Sequence, residues 1–258
     1  CRSTFFKRMD SSGLAFLLTI YRHILRNCVF IYAIDNKLSL PVGDENQIPE
    51  DYVDDIDINN IFGGEAASEP AVTDSDILDV PTDMDFYMKK AQEYYQYISS
   101  KNNVAWIHPK YFKRTLKQKL NKDCKVLIQI IQYCGAWNPA ADSKLNQLED
   151  LVNNRHKEDK VIVFTQFSDT AKYIYRQLKR RGITQIDIAT GESPDPTTSV
   201  EKFSPVSNGK TDMPETDQTR VLIATDVLSE GQNLQDAHVI VNFDLPWAII
   251  RLIQRAGR

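Results

Sequence analysis

This sequence has little that could hold it together covalently or around a metal. Its four cysteines, at positions 1, 28, 124 and 134, show no paired spacing. No CxxC or HxxxH pattern occurs, and His23, His108, His156 and His238 are scattered. A disulfide framework and a zinc site are thereby set aside, and reduced thiols in a cytoplasm are the expectation. No signal-peptide pattern opens the chain. Residues 14–34 are apolar, but Arg22, His23 and Arg26 interrupt them. No clean run of about 20 apolar residues is left to span a bilayer, so no membrane partner is expected. One further lack is local: residues 44–85 contain no lysine or arginine.

That gap exposes a charge asymmetry. The same stretch holds 14 Asp and Glu, so all 31 Lys and Arg stand against 21 acidic residues in the remainder. A surplus of ten positive charges is thus hidden beneath a formal net charge of −4. A basic body suits a polyanion, although solvated lysines and arginines give the same composition. Prolines at 41, 49, 70 and 81 and the pair Gly63-Gly64 accompany the acidic run. Such a segment buries too little apolar surface to offset its ordering cost. A flexible acidic insertion over about 41–82 is expected, with a short ordered piece near Ile56–Phe62. The 258 residues suggest about two domains and are enough for a substantial core.

Helical patterning dominates residues 1–141. Leu14, Leu17, Leu18, Tyr21, Leu25, Val29 and Tyr32 keep helical spacing behind a Ser11 or Ser12 cap. A second helix starts at Asp83 and carries Tyr87, Ala91, Tyr94, Tyr95 and Ile98; its tyrosines either pack or stack on bases. Pro109 opens a predicted helix Lys110–Leu120, and Asp123–Tyr133 is a separate one. The first of these is basic, with Lys110, Lys113, Arg114, Lys117 and Lys119, and Lys122 follows it. It can track a phosphate backbone or simply face solvent. Trp137-Asn138-Pro139 breaks the pattern, and Asp142 caps a helix Ser143–Asn154.

From Lys160 the pattern alternates between strand and helix, which marks a parallel sheet flanked by helices. The strands are Val161–Phe164, Ile183–Ala189, Val221–Ala224 and Val239–Phe243. The last two are short apolar runs and read as strands buried on both faces. The helices are Thr170–Arg181, capped by Ser168 or Asp169 and stopped by Gly182, then Val200–Phe203, one near Val227–Gly231, and Trp247–Gln254. In open α/β sheets ligands bind past the carboxyl ends of strands. Polar and glycine residues collect there: Thr165-Gln166, Ser168, Thr190-Gly191, Thr225-Asp226, Ser229-Glu230-Gly231 and Gln254-Arg255-Ala256-Gly257-Arg258. Arginine forks such as Arg255 and Arg258 suit phosphate and stay charged at working pH. Ser168 and Asp226 can equally serve as helix caps, and Thr190-Gly191 as a plain turn.

One phosphate motif is a decoy. Gly209-Lys210-Thr211 ends like a P-loop, but Ser204-Pro205 occupies the position of its leading glycine, and the segment precedes a strand. A P-loop lies between a strand and a helix. No DExH or DExD box appears with strand context either.

The segment ATDVLSEGQNLQ resembles motif V of superfamily-two helicases and translocases, and QRAGR resembles the first half of their motif VI. The series SEGQNLQ, VNFDLPW and RLIQRAGR is similar to the Swi/Snf-like branch that includes RapA-type proteins, over residues 142–258 and, more loosely, 1–40. The resemblance implies an α/β fold: a second RecA-like helicase lobe at 142–258, ending at motif VI, after a mainly α-helical region at 1–141. It implies nucleic-acid backbone contacts by Thr165, Gln166, Ser168, Thr190, Gly191, Thr225 and Asn233. It places Gly231, Glu230, Gln254 and Arg258 near the nucleotide, with Arg258 and Arg255 as the catalytic arginines on the γ-phosphate. It implies ATP with Mg²⁺, both held mainly by a first lobe outside this sequence, so this stretch alone would not turn over ATP. The partners implied are that first lobe and nucleic acid, double-stranded DNA before RNA. A non-catalytic nucleic-acid-binding or regulatory module derived from such a lobe is the alternative.

Overall fold

Two kinds of patterning, helical first and then alternating, fold into two separate units. The computed structural model describes residues 2–42, 79–100, 104–191, 193, 195–226, 233–246 and 248–256. The piece near Ile56–Phe62, the expected helix near Val227–Gly231, and Glu230, Gly231 and Arg258 lie outside the described residues. One unit comprises Cys1–Phe6 and Phe16–Trp137; the other comprises Lys7–Ala15 and Asn138–Arg258. The main stretch of the second unit begins at Asn138. The return of Lys7–Ala15 to the C-terminal unit is a difference, and it follows from long-range hydrogen bonds that no local pattern announces.

Helices α1 (Arg2–Ser11) and α2 (Gly13–Asp35) meet at Ser12, within the stretch Lys7–Ala15 that belongs to the second unit. The expected cap at Ser11 or Ser12 therefore becomes a junction between two helices. By length and composition α2 could cross a bilayer. Here its Ile20, Ile24, Cys28 and Ile31 are buried in a core with Tyr87, Ala91, Leu120 and Cys124. Strand β1 (Leu40–Val42) pairs antiparallel with β2 (Ala105–Ile107). Helix α3 (Met84–Ser99) begins where expected, with the Asp83 carboxylate accepting the Asp85 amide at 3.1 Å. Tyr87 and Tyr95 bury their rings, and their hydroxyls donate to the carbonyls of Pro81 and Ser39, both at 2.8 Å. These two tyrosines are packing residues.

The basic segment is built differently from its sequence pattern. Pro109 opens only a single 3₁₀ turn, Pro109–Tyr111, because Phe112 is extended at φ −76, ψ 130. One continuous helix α4 (Leu116–Cys134) then replaces the two expected ones. Nothing between Leu120 and Asp123 breaks it: Asn121 and Lys122 are neither glycine nor proline. Its end is set by Gly135 at φ 68, a left-handed conformation that glycine adopts without steric cost.

In the second unit, Asp142 caps α5 (Ser143–Asp150), and a π turn, Leu151–Arg155, finishes it. The sheet has the order β4-β5-β3-β6, with β3 (Val161–Thr165), β4 (Ile186–Ala189), β5 (Val221–Thr225) and β6 (Val239–Asn242) all parallel. Strands β3 and β5 are buried at every residue, as expected of β5 but also expected of β6. Strand β6 is not: it is an edge strand, and Val239–Asn242 are partly exposed. Helices α6 (Ser168–Arg180), α7 (Pro196–Phe203) and α8 (Ile249–Ala256) follow β3, β4 and β6. Ser168 is the first residue of α6 and does not cap it; Phe167 stands at the cap position without a side-chain bond. Gly182 stops α6 at φ 94. Phe164, Phe203, Leu222 and Leu234 form the buried packing beneath the sheet. Burying each such side chain contributes about 1.5–3 kcal/mol.

Candidate nucleic-acid and nucleotide interface

Parallel pairing in register brings Thr165 level with Thr225, and Phe164 level with Asn242. The carboxyl ends of three strands therefore meet at one edge, with Asp226 and Asp244 just beyond them. A carboxylate there loses its water and needs donors to compensate. Asp244, 6% exposed, finds them: the hydroxyls of Thr165 and Ser11, each at 2.5 Å, and the Gln166 amide at 2.9 Å. Burial still dominates and raises the Asp244 pKa, while the bonds from Ser11, Thr165 and Gln166 and the Arg255 charge pull it down.

Ser11 arrives from α1 and also bonds the Thr170 hydroxyl at 2.8 Å. Its neighbours hold it there. The Arg8 guanidinium pairs with Asp169 at 2.6 Å, with both side chains largely buried, and lies over the Phe167 ring at 4.6 Å. The Lys144 ammonium donates to the carbonyls of Asp10 and Ser11 at 2.9 Å. Burial lowers the Lys144 pKa, with Asp244 as the first opposing charge.

Arg255 forms the other half of the knot. It is fully buried on α8. Its Nε donates to Asp226 Oδ1 at 2.8 Å, and a terminal nitrogen sits 2.6 Å from the same oxygen. A second terminal nitrogen donates to Asn242 Oδ1 at 2.7 Å and the Asp244 carbonyl at 3.3 Å. The guanidinium also lies 5.2 Å from the Phe164 ring centroid. Arg251, one turn earlier, reaches the other Asp226 oxygen at 3.2 Å.

The expected site residues thus divide. Thr165, Thr190, Thr225 and Arg255 are buried, and the Thr165 hydroxyl and the Arg255 guanidinium are occupied inside the protein. Gln166 and Ser168 are half-buried, and Gly191 is exposed. Gln166 donates from its side chain to the Leu245 carbonyl at 2.9 Å. Asn233 donates to the Ser207 carbonyl at 2.6 Å, away from the strand-end cluster. Gln254 is half-buried on α8. Asp244, Ser11, Asn242 and Arg251 were not singled out from the sequence. The rule that picked Thr225-Asp226, polar residues just past an apolar run, applies equally to Asn242 and Asp244. Among the described residues no group of three His, Cys, Asp or Glu side chains could hold a metal ion. Gly209-Lys210-Thr211 lies in a turn, where Lys210 sits 3.6 Å from Glu201.

Residues 143–258 match the family model for the helicase conserved C-terminal domain. This part of the chain is similar to helicase C-terminal domains. An ATP-dependent helicase of Bacillus subtilis, YqhH, is 34% identical over 120 residues, covering 45% of this chain and 19% of that protein. A DEAD-box ATP-dependent RNA helicase, 35A, of Oryza sativa is 31% identical over 98 residues, covering 38% of this chain and 14% of the relative. The pre-mRNA-splicing RNA helicase prp28 of Aspergillus clavatus is 26% identical over 117 residues, covering 45% of this chain and 13% of its own length. The chain therefore spans under a fifth of the length of these relatives. The matched residues 143–258 hold the whole knot except Ser11 and Arg8, which come from the N-terminal stretch.

Proposed function

We propose that the chain is the second lobe, with a helical unit before it, of an ATP-dependent Swi/Snf-like helicase or translocase that moves on double-stranded DNA. One observation carries this reading: in a helicase C-terminal domain, the carboxyl end of the parallel sheet is a rigid polar knot around Asp244 and Arg255. Preorganised groups of this kind suit a site that must stabilise phosphate charge without moving.

Gln166, Ser168, Thr190, Gly191 and Thr225 line the strand ends and contact the nucleic-acid backbone, with Asn233 at the domain's edge. Thr165 acts indirectly, by fixing Asp244. ATP and Mg²⁺ are held mainly by a first lobe, and Gly231, Glu230 and Gln254 complete the nucleotide's surroundings. The exposed apolar side chains Leu245, Ile249, Ile250 and Ile253 suit that lobe as a partner. Arg258 reaches the γ-phosphate as negative charge develops, and Arg255 locks the helix that leads to it. Closure on ATP and opening after hydrolysis then ratchet the strand past the gripping residues.

The test is Arg258→Ala in the full-length protein. ATPase turnover falls by about 10³-fold or more while nucleotide binding persists; an unchanged turnover rate rejects the finger role. Stimulation by duplex DNA above RNA of the same sequence is expected, and stimulation by RNA alone overturns the choice of track.

A further inference from the structure

The helical unit carries a surface that the helicase reading leaves unused. Between Val104 and Lys122 the sequence holds no acidic residue. Helix α4 buries Leu120, Cys124 and Ile131 on one side. Lys119, Lys122 and Lys125 follow at three-residue steps on the other, all exposed. Neighbours in this series are separated by about 4.5 Å of helical rise. Like charges three apart on a helix repel and weaken it by a few tenths of a kcal/mol per pair. Among the described residues no carboxylate pairs with these three lysines, nor with Lys113 and Arg114, although Lys117 does pair with Asp35.

Exposed aromatic surface lies just before this series. Tyr111 is 69% exposed, with the Lys110 ammonium 4.9 Å from its ring centroid, and Trp106 on β2 is 37% exposed. A purely solvated basic segment has no need of an exposed ring beside it. Cations combined with bare aromatic faces are what a nucleic-acid strand uses, through its phosphates and unstacked bases.

We propose that this face of the helical unit is a second nucleic-acid contact, in which Lys113, Arg114, Lys119, Lys122 and Lys125 follow the phosphate backbone and Tyr111 stacks on a base. It goes beyond the helicase lobe and needs only nucleic acid as the partner. The rival polyanion is the chain's own acidic stretch, residues 44–85, which offers no base to stack.

The test uses the whole chain and a labelled duplex DNA with a short single-stranded tail, titrated across a salt series. Lys119→Gln/Lys122→Gln/Lys125→Gln keeps good helix formers in place and removes three charges. The plot of log affinity against log salt should become shallower by about 2 to 3. Tyr111→Ala should weaken binding about tenfold without changing that slope. Lys210→Gln, in a turn of the other unit, should leave both unchanged. An unaltered slope in the folded triple variant overturns the proposal, whether the lysines are merely solvated or serve the acidic stretch. This binding is read without nucleotide, so failure of the finger role and failure of this surface are separable.

Discussion

Replacing Asp244 by alanine removes the acceptor on which three donors converge. The Ser11 hydroxyl keeps a partner in Thr170 at 2.8 Å. The Thr165 hydroxyl keeps only a 3.4 Å contact to Ser11, and the Gln166 amide loses its carboxylate at 2.9 Å. One buried hydroxyl is therefore left with a long contact only, and one part-buried amide is left unpaired, at about 1–3 kcal/mol each. Relief of a buried carboxylate's desolvation returns part of that. A net loss of about 2–4 kcal/mol is expected. Asp244→Asn is the informative partner: its oxygen can still accept from Gln166, and the two hydroxyls can rotate to accept from its amide. It should cost less than half as much as alanine. The assay is urea unfolding of the C-terminal unit, read as a midpoint shift at constant slope. The pH dependence has a definite sign. Burial raises the Asp244 pKa, so the folded state holds this proton more tightly than the unfolded chain. Its contribution is present below the unfolded value of about 3.9 and is lost as pH rises through the folded value. Asp244→Asn should therefore gain on the native chain as pH rises above about 4. If asparagine destabilises as much as alanine, the knot depends on charge and not on acceptor geometry, and this reasoning fails.

Three further outcomes follow from the same geometry. Arg255→Ala should destabilise by about 3–5 kcal/mol, because Asp226 loses its buried partner; Arg255→Lys should rescue little, since one ammonium cannot span Asp226, Asn242 and the Asp244 carbonyl, and a native-like urea midpoint for alanine would refute the assignment. Gly182→Ala forces a side chain to φ 94 and should cost about 1 kcal/mol, measurable by the same unfolding curve. His23 is held down to about 4, first by burial and then by Arg26, so the helical unit should lose stability as pH falls from about 6.5 toward 4, and His23→Gln should flatten that profile.

The elements easiest to read in the sequence were those fixed by neighbours in the chain. The apolar runs of β3 and β5, the helix start at Asp83, the Asp142 cap and the Gly182 stop all rest on contacts within a few residues. The Lys110–Leu120 and Asp123–Tyr133 helices were misdivided because proline marked a turn and not a helix, and no residue between Leu120 and Asp123 signalled a break. The exposure of β6 depends on its place at the sheet's edge, which local patterning does not encode. The largest gap was at the site. By sequence Arg255 is a fork suited to phosphate, yet its guanidinium is held by Asp226 and Asn242, whose proximity arises only once β5 and β6 flank β3. The Ser11 sequence pattern shows a helix cap but not its bond to Asp244, for the same reason: the carboxylate is 233 residues away.

That separation governs the order in which the protein can finish itself. A ribosome delivers Ser11 well before Asp244. Until the later residue emerges, the Ser11 hydroxyl lacks its shortest bond, and Arg8 must wait for Asp169. Excising residues 138–258 as a tidy lobe would repeat that unfinished state permanently, leaving the Asp244 carboxylate one donor short. Any shortened version meant to fold as the parent does has to carry Lys7–Ala15 along, even though those residues are written at the opposite end.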